Sequence, residues 1–261
     1  MQAGSMRSWR AARESTRRMI QLLAFDRSQL LEVANARRDE YATASPFRHV
    51  VIDGLLPDAV LDRVVEEFPE PSEAWRRFDD ERQRKLGAGL QELDLGPTTR
   101  NVLAEFNSAA FVDFLQVLTG IEEPLIPDPH FKGGGLHQIL PGGYLKVHAD
   151  FNRHPAFGLD RRVNVLLYLN RGWRPDWGGQ LELWDRSMSH AEQRVEPVFN
   201  RMVVFSITDT AFHGHPDPLR CPPGHARRSL AFYYYSNGRP EHERSETHTT
   251  LFQSRPGTTG Y

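Results

Sequence analysis

The sequence contains one cysteine, Cys221, in 261 residues. A lone thiol excludes an internal disulfide, so the fold needs no oxidising compartment. It also excludes a cysteine-built zinc cluster and leaves histidine and carboxylate side chains as the available metal ligands. No apolar run approaches the roughly 20 residues a membrane-spanning helix requires. A surplus of one charge is missing too. The net charge is −2, which provides no electrostatic footprint for nucleic acid or an anionic membrane. Lysine is confined to Lys85, Lys132 and Lys146, and arginine carries nearly all the positive charge. These absences lead us to expect a cytoplasmic protein whose partner is a small-molecule or peptide substrate, with no nucleic-acid or membrane partner. They leave the oligomeric state open.

What is present is an ordinary globular composition, long enough for one large β-rich domain with flanking helices or for two small ones. Residues 1–23 carry Arg7, Arg10, Arg13, Arg17 and Arg18 against Glu14. That composition is similar to an arginine-rich transit peptide, but arginine is favoured throughout the chain, so a basic surface helix is the simpler reading. Apolar spacing predicts a helix over residues 8–41. The run FRHVVI at 47–52, ended by Asp53-Gly54, predicts a strand. Pro57 then opens a helix through Phe68. Residues 72–97 read as a polar loop, and residues 98–119 as one helix capped by Gly120. After Pro127 the pattern becomes short β-type runs at 136–140, 144–147, 163–169, 180–183, 194–198, 202–207 and 229–235. Gly, Pro, Asn and Asp separate them, the pattern of a sandwich or jelly roll. The expected organisation is a helical and strand support region over 1–126, a β core over 127–240 and a polar surface tail over 241–261.

One segment carries potential chemistry. In YLKVHAD, His148 and Asp150 stand at i and i+2, which share a face on a strand. By itself this pair also fits a surface histidine beside an acid. A third candidate, His213, lies in FHGHP beyond the run 202–207, with His215 two residues further on as its rival. Two histidines and one carboxylate on one face of an octahedron leave three open positions, the arrangement of non-haem Fe(II) oxygenases.

Five pieces in order strengthen that reading: PGGYLKVHADF, RRVNVLLYLN, WGGQLELW, FHGHP and RRSLAFYYY. Residues 133–236 resemble the catalytic core of the prolyl 4-hydroxylase-like 2-oxoglutarate/Fe(II) dioxygenases, and FRHVVIDGLLP resembles that family's usual entry into the fold. The resemblance implies a mainly β protein with flanking helices, folded as a double-stranded β-helix (a jelly roll, cupin-like) with the metal near the barrel mouth. It implies His148, Asp150 and His213 as catalytic metal ligands. Arg227 would anchor the remote carboxylate of 2-oxoglutarate, with Arg228 as the alternative and Tyr168 as a hydrogen-bonding partner. Ser229, Ala231 and Tyr233 would face inward with Arg227, as would Asn164 and Leu166 with Tyr168. It also implies Fe(II), 2-oxoglutarate and O₂ as cofactors, with ascorbate as an optional reductant. Related halogenases lack the carboxylate ligand, so Asp150 points to hydroxylation.

Other residues have plainer readings. Tyr233 to Tyr235 suit sheet packing, and Gly178-Gly179 a turn. His137, His154 and His225 suit structural or exposed positions. Strand alternation places Gln138 and Lys146 inward, where they could touch substrate, and residues 151–160 are placed to act as a substrate lid. The substrate itself is not legible, since a fold does not fix a substrate. Two competing readings follow from the same residues: a cupin-like metal enzyme that does not use 2-oxoglutarate, and a catalytically silent binding module.

Overall fold

The computed structural model describes residues 22–88 and 95–258. The basic segment before Gln21 and part of the helix predicted over 8–41 therefore lie outside the described residues. Helix α1 spans Arg27–Thr43. Residues 22–26 are not helical, because Asp26 takes the N-cap position and its side chain accepts from the Ser28 and Gln29 amides. That cap overrides the apolar spacing that runs through it. Strand β1 (His49–Asp53) and helix α2 (Asp58–Glu66, with Pro57 as its N-cap) fall where expected.

The polar stretch predicted as a loop is instead a hairpin, β2 (Arg76–Asp79) and β3 (Gln83–Ala88). Its hydrophilic residues read as loop because β2 is largely exposed. β3 is nevertheless paired to the core strands. The helix expected over 98–119 is two helices, α3 (Pro97–Glu105) and α4 (Ala109–Thr119). They are bent by 44°. Ser108 caps α4 by accepting from the Phe111 amide, and Gly120 closes it in the left-handed conformation at φ 67°. No single described helix is long and apolar enough to cross a membrane.

The remaining strands are β4 (Ile126–Pro127), β5 (Gly135–Ile139), β6 (Tyr144–Ala149), β7 (Asp160–Tyr168), β8 (Leu181–Trp184), β9 (Ala191–Val195), β10 (Arg201–Ser206), β11 (His213–His215), β12 (Arg227–Ser236) and β13 (Leu251–Phe252). They pair antiparallel in the order β1-β10-β7-β12-β5-β3-β6-β11-β8-β9, a nearly closed jelly roll of the double-stranded β-helix type. β1 pairs with β10, and β3 lies between β5 and β6, so strands from the first hundred residues complete the sheet. The tail does more than cover the surface, because β13 pairs with β6 and sets Phe252 opposite His148.

The main core lies between the helices and the outer face of the β7–β12 sheet. Phe106, Phe111 and Phe114 meet Val163, Val165, Leu167, Leu230 and Phe232 there. Phe106 and Phe232 stack at 4.2 Å. Such rings bury large apolar areas, the dominant favourable contribution to folding. The inner face of the same strands is left for other residues.

Candidate metal centre

β6 carries His148 at its end, and Asp150 follows immediately. β11 pairs with β6 so that His213 lies directly opposite His148. Gly214 permits this approach: a Cβ there would meet the Leu145 carbonyl oxygen at 2.8 Å. The two imidazole rings are 4.5 Å apart. Each is oriented in the same way. Nδ1 of His148 is 2.8 Å from the Lys146 carbonyl oxygen, and Nδ1 of His213 is 2.9 Å from that of Ala211. A carbonyl only accepts, so Nδ1 carries the proton in both rings and Nε2 keeps its lone pair. Both Nε2 atoms face Asp150, at 3.5 Å from Oδ1 and Oδ2 respectively. The three candidate ligand atoms lie within 4.8 Å of one another, the one such cluster among the described residues. Backbone carbonyls that fix the tautomer of a ligating histidine are the usual support of a metal site, and this donor set fits Fe(II). His215 is not in the cluster.

Burial acts to raise the Asp150 carboxyl, but Arg161 and the bonds from His148 and His213 outweigh it and hold Asp150 well below the usual carboxylate range. Burial lowers His148, and its neighbour His213 adds to that. The arrangement therefore presents a carboxylate beside a neutral imidazole, the protonation states a divalent metal requires.

Asp150 has two partners: Asn164, which was expected to face inward but not to bond Asp150, and Arg161, which sequence reasoning missed. Asn164 donates to Oδ2 at 2.7 Å, and Arg161 reaches the same oxygen at 3.1 Å. Arg161 is completely buried, donates to Asn164 and lies 3.5 Å over the Tyr233 ring. Counting alternate residues back from Tyr168 would turn Arg162 inward. A bulge opposite Tyr234 and Tyr235 shifts the register by one, so that Tyr235 pairs with Arg161. Arg162 points outward to Glu123 and Glu243 instead.

At the other end of β7, about 13 Å along the strand from Asn164, Tyr168 meets Arg227. The Arg227 guanidinium donates to the Tyr168 hydroxyl at 3.1 Å and to the Gly179 carbonyl at 2.8 Å, and both side chains are buried. Gly179 is more than a turn residue: it has φ +78°, and a Cβ there would crowd Arg227 and strike Leu219. Burial raises the Tyr168 hydroxyl and lowers Arg227. Arg228 takes the opposite face, over Phe68 and 3.7 Å from Glu70. The structure thus brings Arg227 and Tyr168 together on the inward face and leaves Arg228 outside it. Ser229, Ala231 and Tyr233 face inward as expected.

Two expectations from alternation fail. Gln138 pairs with Arg228 and Leu86 on the outward face, whereas His137 stands opposite Ser229 and faces inward. Lys146 is displaced because the β6–β11 register slips between His213 and His215, and its Nζ reaches the Pro216 carbonyl oxygen. Burial lowers His137 to about 3, with Lys85 contributing next. Burial also lowers Lys85 to about 8, despite the raising influence of Asp150. Lys85 comes from the hairpin read as a loop, so no sequence signal marked it. Phe252 of the tail packs 5.4 Å from His148. Residues 151–160 close on themselves through the Arg153–Asp160 bridge, and Asn152 bonds to Ser245 and Glu246 of the tail.

Residues 134–235 match the sequence model of the 2OG-Fe(II) oxygenase superfamily. The fold is similar to that of a Pseudomonas putida prolyl-4-hydroxylase, at 22% identity and TM-score 0.56, covering 78% of this chain and 100% of that one. It is also similar to a Trichoplax adhaerens prolyl hydroxylase solved with a hypoxia inducible factor oxygen degradation domain peptide fragment, at 16% identity and TM-score 0.60, covering 83% and 95%. A prolyl 4-hydroxylase from Phytophthora capsici is similar at 17% identity and TM-score 0.55, covering 82% and 66%.

Proposed function

We propose that residues 134–235, which match the 2OG-Fe(II) oxygenase superfamily model, are the catalytic domain of a prolyl 4-hydroxylase-like enzyme that hydroxylates an unactivated C–H of a prolyl, amino-acid-like or natural-product substrate, with release of succinate and CO₂. The observation that carries this reading is the convergence of His148, Asp150 and His213 on one point, on the same inward surface as the buried Arg227–Tyr168 pair. In it, His148, Asp150 and His213 hold Fe(II), and Arg227 and Tyr168 hold the remote carboxylate of 2-oxoglutarate. A guanidinium fork suits a carboxylate. Bound iron with 2-oxoglutarate and O₂ supplies the oxidising chemistry, and ascorbate is an optional reductant.

The chain's own contribution is positional. Arg161 and Asn164 fix the orientation and charge of Asp150, and the two backbone carbonyls fix both imidazoles. Residues 151–160 border the metal strand and cover a small-molecule or peptide substrate, keeping its reacting carbon oriented and dry. The site is assigned to the cytoplasm, in keeping with a chain that needs no disulfide. The Arg227–Tyr168 pair favours this reading over a metal enzyme without an oxoacid, which would have no use for a buried guanidinium at that place.

The test is direct. Purified protein given Fe(II) and 2-oxoglutarate without O₂ is expected to develop the visible metal-to-oxoacid charge-transfer band, and admitting O₂ is expected to yield succinate. Fe(II) binding without either signal would reject the assignment.

A further inference from the structure

Two residues beyond His213 the chain places another imidazole that the metal centre does not use. His215 is 3% exposed, and neither of its ring nitrogens has a hydrogen-bond partner among the described residues. Its position follows from the slip in register. His213 pairs with His148, whereas His215 pairs with Leu145, three residues back along β6. β11 pairs with β8 so that Gly214 lies opposite Glu182, which sets His215 beside Leu181, two residues past the Gly179 carbonyl that accepts from Arg227. His215 therefore neighbours both the metal centre and the Arg227–Tyr168 pair, on the surface that connects them.

An imidazole offers an N–H donor and a lone pair, and burying both without partners is costly unless a ligand meets them. Arg227 is a cation on this inward face, and Lys85 lies two residues along β3 from Gln83, which pairs with the same Leu145 that His215 faces. Tyr168 accepts from Arg227, so its own hydroxyl proton is free to donate. Cations and neutral donors gathered on one inward face match the acceptor oxygens of a carboxylate.

We propose that His215 is a specificity-determining residue for the co-substrate, donating a hydrogen bond to the remote carboxylate of a 2-oxoacid beside Arg227 and Tyr168. It thereby helps select a dicarboxylate over a monocarboxylate. This rests on the reading of the site as 2-oxoglutarate-dependent, and it adds a residue on β11 that would otherwise count only as the neighbour of a ligand.

The experiment is calorimetric titration of Mn(II)-loaded protein with 2-oxoglutarate and with 2-oxobutyrate, which has the same oxoacid head but no remote carboxylate. His215→Leu is expected to weaken 2-oxoglutarate about tenfold, the scale of one hydrogen bond to a charged group. Binding of Mn(II) and of 2-oxobutyrate should stay within about twofold. His215→Gln, which restores a donor, should recover part of the loss. Unchanged 2-oxoglutarate affinity, or an equal loss for both acids, would overturn the proposal. A measurement on the wild type guards against a variant that fails to fold. In Zn(II)-loaded protein, ring-nitrogen NMR should show a third imidazole, beyond the two metal ligands, shifting with 2-oxoglutarate and not with 2-oxobutyrate; no such shift would also overturn it. If Mn(II)-loaded wild type binds neither acid, the co-substrate reading falls and the role of His215 with it.

Discussion

The two faces of the β7–β12 pair are built from alternate residues of the same strands, yet they do opposite work. Outward, Val163, Val165, Leu167, Leu230, Phe232 and Tyr234 pack on the helices and are essentially dry. The one polar tip among them, the Tyr234 hydroxyl, donates to the Phe106 carbonyl at 2.6 Å. Inward, Arg161, Asn164, Tyr168, Arg227 and Ser229 are equally buried but polar or charged. Burying such groups costs free energy unless they are paired. The outer face supplies the stability that lets the inner face hold a carboxylate, guanidinium groups and imidazoles close together. Substitutions on the two faces should therefore separate activity from stability.

The largest expected effect is on the inner face. Asp150→Ala removes a candidate ligand and should abolish 2-oxoglutarate turnover, while circular dichroism stays native; near-normal succinate formation would break the division. On the outer face, Phe232→Ala empties a stacked aromatic site and should cost about 3–5 kcal/mol in denaturant unfolding. Turnover per folded molecule should remain, and a loss well under 1 kcal/mol would mean the helices do not carry the fold. The neighbouring arginines offer a sharper contrast across one peptide bond. Arg227→Leu should raise the 2-oxoglutarate concentration for half-maximal turnover by roughly 30-fold or more, the scale of truncating a buried hydrogen-bonded charge. Arg228→Leu should change it by less than about twofold, and equal effects would show that strand facing does not decide function here.

The smallest effect concerns Lys85, which burial lowers from 10.5 to about 8. Between those values the unfolded chain holds more protons than the folded one, so this group's contribution to stability rises with pH across that window. Below about 8 the cost of its buried charge is fully present. Lys85→Met should therefore raise Tm at pH 7 by about 2 °C or more. The advantage should shrink as pH approaches 10; an advantage independent of pH would contradict the sign.

Much of the inner face could be read from periodicity and resemblance. His148 and Asp150 share a face because they are two residues apart in extended chain at the end of β6, and Tyr168, Asn164 and Leu166 follow the same two-residue rule. Arg161, Gln138 and Lys146 did not yield to that rule. A bulge in β7 opposite Tyr234 and Tyr235 inverts the phase before Val163, and a slip between β6 and β11 turns Lys146 away. Gln138 fails for a different reason, since its pairing with Arg228 fixes it on the outward face. The β2–β3 hairpin was missed because an exposed polar strand has no apolar alternation to reveal it, and the break at Ser108 because local capping chemistry outweighed a continuous apolar stripe.

The sequence by itself determined that any metal ligands are histidines and carboxylates, that the core is a set of short strands, and that His148 belongs to the strand beginning at Tyr144. These are local properties, set by residue type and by the two-residue repeat of a strand. Only the tertiary structure decided which arginine faces inward, that Arg161 and Asn164 grip Asp150, and that His213 rather than His215 meets His148. Register between strands distant in sequence depends on bulges and glycine approaches such as Gly214. A single misplaced residue reverses every side chain beyond it, and no local pattern records where that occurs.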